Sequence, residues 1–166
     1  PEAQMDRFMI KAIMSYPSFN EEVSMLKLLT NRGSDVFNPE SLNNQKISLQ
    51  DVTFLRSATR RVHVSEAVMK YAVDIVATSR GEGSHPLKTI SSLVRMGASP
   101  RASIALIRIG QAQALLAGRD YVIPEDVKKF AHDVLRHRIL LTFEALADSI
   151  TSDQIIDAIV KTVPAP

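Results

Sequence analysis

Arginine carries most of the chemistry available to this sequence. Arg101 falls two residues after Ser99 and directly after Pro100, in the first turn of a segment with helical spacing. A cation there opposes the helix macrodipole at a cost of a few tenths of a kcal/mol or more, so something should offset it. Unpaired backbone N–H groups at a helix start already favour an anion, and a guanidinium beside them adds a bidentate, always-charged donor suited to phosphate. Arg108, seven residues on, shares that face. The alternative is a solvated surface arginine. Arg7 poses a similar choice. It sits beside Asp6 and just ahead of the apolar run Phe8 to Met14, either as an Asp-paired structural residue or as a positioned cation.

Other templates fail on residue type or spacing. The absence of Cys excludes a disulfide scaffold, thiolate catalysis and Cys-ligated zinc. His63, His85, His132 and His137 form no HExxH pair; His132 and His137 are five apart and read as partly exposed helix histidines, so no metal site is expected. Gly81-x-Gly83 lacks the third glycine and preceding strand of a dinucleotide loop, and Gly97-Ala98-Ser99 lacks the following glycine of a nucleophile elbow. Glu21-Glu22 and Glu125-Asp126 are first-turn carboxylates that complement a dipole, with no acid or base role. Arg60-Arg61-x-His63 and Arg136-His137-Arg138, with a pI near 9.1, raise a nucleic-acid reading. Interspersed acids and a net charge of 20 − 18 = +2 favour solvated helix ends instead.

The elements that must hold these residues are mostly helical. With 166 residues, 45% apolar and 23% charged, the chain has a globular composition, and no stretch approaches the ~20 apolar residues needed to span a bilayer. Phe8 to Met14 reads as a buried strand closed by Tyr16-Pro17-Ser18, whose sheet partners lie elsewhere. That, with a start at Pro1 and no signal peptide, suggests a piece of a longer polypeptide. A helix capped by Asn20 carries Val23, Leu26 and Leu29 inward and ends at Gly33, before a polar loop over Asn31 to Gln45. Ser48 and Asp51 open a second helix with Leu49, Val52, Leu55, Ala58 and Val62 on one stripe. Ser65 opens a third, striped by Val68, Ala72, Ile75 and Ser79, and broken after Gly81. The fourth runs from Ser99-Pro100 to Gly118, with a stripe of Ala102, Ala105, Ile109, Ala112 and Leu116 small enough to place it centrally. Pro124-Glu125-Asp126 starts a fifth that buries Val127, Phe130, Ala131 and Val134, and Thr151 with Gln154 boxes a last one carrying Ile155, Ile159 and Val163. A helical bundle follows.

Pro1-Glu2-Ala3-Gln4-Met5-Asp6-Arg7-Phe8, Tyr16-Pro17-Ser18, Gly97-Ala98-Ser99-Pro100-Arg101-Ala102, Gly118-Arg119-Asp120-Tyr121-Val122 and Val134-Leu135-Arg136-His137-Arg138 occur in that order. Together they resemble the C-terminal part of a MoxR-type AAA+ ATPase, over essentially the whole chain. Met5 stands where Leu is more usual, and Ile123 where a capping Thr is expected. The resemblance implies a mainly α fold: residues 19–166 as the helical lid domain, and residues 1–18 as a C-terminal remnant of the α/β core. It implies Arg101 as the sensor-2 arginine on the γ-phosphate, and Arg7 as an arginine finger, the catalytic residue reaching ATP bound to the neighbouring subunit. Both roles stabilise charge that develops on the transferred phosphoryl group. No G-x-x-x-x-G-K-[ST] loop appears, so ATP and Mg²⁺ are expected in the full-length protein and neither on this stretch alone, which is expected to be inactive. The family resembles cytoplasmic chaperones that form homo-oligomeric rings, expected as hexamers, and act on client proteins, often ones with von Willebrand factor A domains; membrane and nucleic acid are not expected partners. From a different class, the other reading is a stand-alone helical module that binds protein or nucleic acid through its Arg-rich helix ends.

Overall fold

The computed structural model describes residues 2–32, 47–87 and 90–166. In chain order its elements are α1 (Glu2–Met5), α2 (Phe19–Arg32), α3 (Leu49–Arg61), α4 (Glu66–Thr78), α5 (Ile90–Leu93), β1 (Val94–Met96), α6 (Pro100–Leu116), α7 (Pro124–Lys129), α8 (Ala131–Leu135), β2 (Leu140–Leu141), α9 (Phe143–Ala147) and α10 (Ser152–Thr162). They fall into two compact units, Pro1–Ala12 with Phe54–Pro166, and Ile13–Thr53. Among the described residues, no helix is long and apolar enough to cross a membrane.

The first unit is a mainly α bundle around α6, which packs on α4, α7 and α8, while α10 packs on α4 and α8. Local chemistry starts several of these helices. The Ser65 hydroxyl accepts from the Val68 N–H at 3.3 Å, Ser99 and Pro100 start α6, and Thr151 and Gln154 exchange hydrogen bonds of 3.2 and 2.9 Å at α10. Gly118, at φ 72°, ends α6 in the left-handed region that glycine adopts without strain. The α4 stripe is buried as its spacing predicts, and so are Ile155, Ile159 and Val163.

The inward face of α6 is rotated from the expected one. Ala102, Ala105, Leu106, Gly110 and Ala114 are buried, whereas Leu116 is 85% exposed. Gly110 explains the rotation: a methyl group there would lie 3.1 Å from Val122 Cγ1, so the segment after α6 crosses where the helix is thinnest. The single helix expected from Pro124 is two, divided at Phe130. A short antiparallel pair that the spacing does not reveal joins Val94 to Leu141 and Met96 to Leu140.

Phe8 to Met14 is not a strand and not buried. Phe8 is 62% exposed and Met14 90%, and the backbone is irregular. Side chains, not a sheet, hold it: Arg138 donates to the Phe8 and Met9 carbonyls at 2.5 and 3.1 Å, and Arg136 to the Lys11 carbonyl at 3.0 Å.

Within the second unit, α2 begins two residues earlier than expected. The cap is Ser18, not Asn20: its N–H and hydroxyl both donate to Glu21 Oε2, at 2.7 and 2.6 Å. Leu26 on the expected inner stripe is 63% exposed. Ser48 and Asp51 do form the expected reciprocal cap of α3, yet Leu49, Val52 and Leu55 remain exposed. Gly33 and most of the polar loop lie outside the described residues.

Candidate functional site

Arg7 and Arg101, 94 positions apart in sequence, line one open cavity of about 140 Å³ together with Asp6, Met9, Arg108 and Arg138. Four guanidiniums against one carboxylate give these lining residues 4 − 1 = +3 charges. The α6 start supplies Arg101 and Arg108 from one helix face, and the turn after α1 supplies Asp6 and Arg7.

Asp6 is the hub. Its oxygens each accept from the Ser99 hydroxyl at 3.0 Å, Oδ2 also from Arg101 Nη1 at 3.2 Å, and Oδ1 also from Arg138 Nε at 3.2 Å. Partial burial pushes its carboxyl pKa up, but the Ser99 hydrogen bond and the two arginines outweigh that and hold it below the usual aspartate range. The cation in the first turn of α6 is therefore offset from within the chain, by a carboxylate at the helix mouth. Of the two readings open for Arg7, pairing with Asp6 does not occur. Arg7 is exposed, and its guanidinium makes no hydrogen bond or ion pair with the described residues.

Arg136, His137 and Arg138 are neither solvated helix ends nor a nucleic-acid face. The Arg138 side chain is 2% exposed and donates to the carbonyls of Asp6, Phe8, Met9 and Val134 as well as to the Asp6 carboxylate. Arg136 pairs with Asp133 at 2.7 Å and Asp153 at 3.1 Å. His137, expected to be partly exposed, is 8% exposed with Nε2 3.0 Å from the Phe8 carbonyl. Burial is the main reason its pKa falls; the Phe8 bond opposes this, and Arg138 and Lys11 add to the fall. These three residues fasten the N-terminal segment, and with it Arg7, to the bundle. No sequence signal distinguishes them from surface cations, because the partners that tie them to the N-terminal segment, the carbonyls of Asp6, Phe8, Met9 and Lys11, lie more than a hundred residues away.

Among the described residues, no group of three or more His, Asp or Glu is placed to hold a metal ion. What the cavity offers is guanidinium donors converging on a small open space, chemistry suited to a phosphoryl group.

Residues 88–159 match the family model of the AAA lid domain. Over its whole length the chain is 39% identical to the protein YeaC of Bacillus subtilis and 38% identical to the chaperone MoxR1 of Mycobacterium tuberculosis, covering 48% and 42% of those proteins. It is 28% identical to the protein MoxR of Paracoccus denitrificans, covering 51% of it. The crystal structure of a candidate ATPase from Cytophaga hutchinsonii superposes on the entire chain with a TM-score of 0.87 at 36% identity, and the chain covers 49% of that structure. The chain thus spans about half the length of the relatives it matches.

Proposed function

The chain belongs to the MoxR-type AAA+ ATPase family and carries its helical lid, and from that premise we propose that it works as the moving part of a ring-forming ATPase that remodels or matures partner proteins in the cytoplasm. Residues 19–166 form the lid in this reading, and residues 1–18 are the end of the nucleotide-binding core. Arg101 is the sensor arginine and Arg7 the finger that acts on a neighbouring subunit. The observation that carries this reading is the shared cavity: both arginines line it, its lining residues are net positive, and Arg7 is left without a countercharge.

The residues present fit a terminal phosphate and do not fit Mg²⁺. The one carboxylate, Asp6, is already saturated by Ser99, Arg101 and Arg138. The phosphate-binding loop and the magnesium ligands belong, in this proposal, to the other half of the longer protein. Nucleotide supplies the transferred phosphoryl group; the two guanidiniums hold it and neutralise charge that grows on its oxygens during transfer. Clients, including proteins with von Willebrand factor A domains, would receive the lid's motion as Arg101 engages and releases the phosphate.

The test uses the full-length protein. Arg7→Ala is expected to lower ATP turnover by about 10³-fold or more, as removal of other trans-acting arginines does, and Arg101→Ala to lower it severely. Rings mixed from Arg7→Ala subunits and subunits lacking the phosphate-loop lysine should recover activity, because some interfaces then pair an intact finger with an intact site. Wild-type turnover in Arg7→Ala, with no recovery in confirmed mixed rings, would make Arg7 structural. Unchanged ATP affinity and rate in Arg101→Ala would remove the sensor role.

A further inference from the structure

Asp6 does more than balance charge. Both of its oxygens are fully engaged, and one of its partners, Arg138, is 2% exposed and pinned by four main-chain carbonyls, so the carboxylate has little freedom to swing. Arg101 is the opposite case. Its side chain is 61% exposed and lines the cavity, and only Nη1 bonds Asp6, so Nη2 and Nε carry no hydrogen bond to the described residues. A guanidinium is planar and rigid, so a hydrogen bond at one nitrogen restrains where the others can donate. Arg7 is the next residue in the chain, its Cα about 3.8 Å from that of Asp6 across the peptide bond.

We infer that Asp6 is a positioning residue of the phosphate site: it aims Arg101 into the cavity shared with Arg7 and ties the two cations together, so that movement of the α6 start carries Arg7 with it. The inference rests on the phosphate reading above. Its rival is a purely structural Asp6 that only joins the N-terminal segment to Ser99 and Arg138.

The experiment is a double-mutant cycle on ATP hydrolysis by the full-length protein. Asp6→Asn keeps the side-chain shape and removes the charge. A misplaced guanidinium is expected to reduce kcat by between ten- and a hundredfold, about the range such displacements produce, with KM little changed. In an Arg101→Ala background, Asp6→Asn should cause no further loss, because the group it positions is gone. The same fold-loss in both backgrounds, with Arg101→Ala itself impaired, would show Asp6 to be structural and overturn the inference while sparing the phosphate reading. Wild-type kcat in Arg101→Ala would overturn that reading first and this inference with it. Should Asp6→Asn fail to assemble, Arg101→Lys decides: this exposed position tolerates the change, but an ammonium has no rigid second edge to aim. Arg101→Lys is expected to lose as much kcat as Arg101→Ala, and wild-type kcat would overturn the positioning role.

Discussion

Gly97 lacks a Cβ because no room exists for one: a methyl group there would lie 2.3 Å from the Ser79 carbonyl oxygen, a backbone atom that cannot step aside. Next to it, the Ala98 N–H donates to Ser79 Oγ at 2.9 Å, and Arg80 Nη1 to the Ala98 carbonyl at 2.8 Å, so the segment leading to Arg101 is stapled to the end of α4. Gly97→Ala is expected to destabilise the chain by about 1–3 kcal/mol, the range of overpacked cores, measured by denaturant unfolding. An unchanged midpoint would mean that the two segments separate without cost. Arg101 stands out in the sequence because a cation in a helix's first turn contradicts a simple electrostatic rule. Asp6 breaks no rule where it stands, and its importance is visible only once the fold brings Ser99, Arg101 and Arg138 around it.

At the scale of elements, α7 shows how a helix start survives without a capping side chain. The Ile123 side chain cannot accept a hydrogen bond, but Asp126 reaches back and takes the Ile123 N–H at 3.0 Å while holding Arg119 through two bonds of 2.9 and 2.6 Å. Burial raises the Asp126 pKa, but Arg119 and the Ile123 N–H together bring it below the ordinary value. The pair's stabilisation is therefore complete above the unfolded aspartate value, near pH 4, and is lost only as pH falls through the lower folded value. Asp126→Ala should remove the cap, worth about 1 kcal/mol, and should flatten the stability loss below pH 4 relative to the parent chain; an equal loss in both would disconnect Asp126 from that titration. The Glu125-Asp126 pair is legible as a helix start, while the burial of Asp126 is not. Periodicity has a similar boundary. It marks the face that seeks burial, correctly for α4 and α10, but not the surface that covers it, and so it places the α3 stripe inside when Leu49 is 86% exposed.

For the molecule as a whole, the telling contacts join its ends. Residues 6–11 are held by Asp133 and residues 136–138, across about 130 positions, and the apolar side chains of Phe8 and Ile10 are exposed. A segment whose main-chain carbonyls are held by arginine side chains while its apolar side chains are exposed presents an unusual apolar surface. The tether is also sensitive to acid. His137 is buried with Nδ1 unpartnered, and its folded pKa lies below the ordinary histidine value, so the native chain holds it neutral while the unfolded chain takes up a proton near pH 6.5. The unfolded state binds more protons in that window, so stability is full at neutral pH and declines as pH falls from about 6.5 toward the folded value. His137→Gln keeps a donor for the Phe8 carbonyl and cannot titrate. Melting temperatures measured between pH 7.5 and 5.5 should fall less in that variant than in the parent; parallel curves would show that His137 titrates alike in the folded and unfolded chain and that the tether is indifferent to protonation.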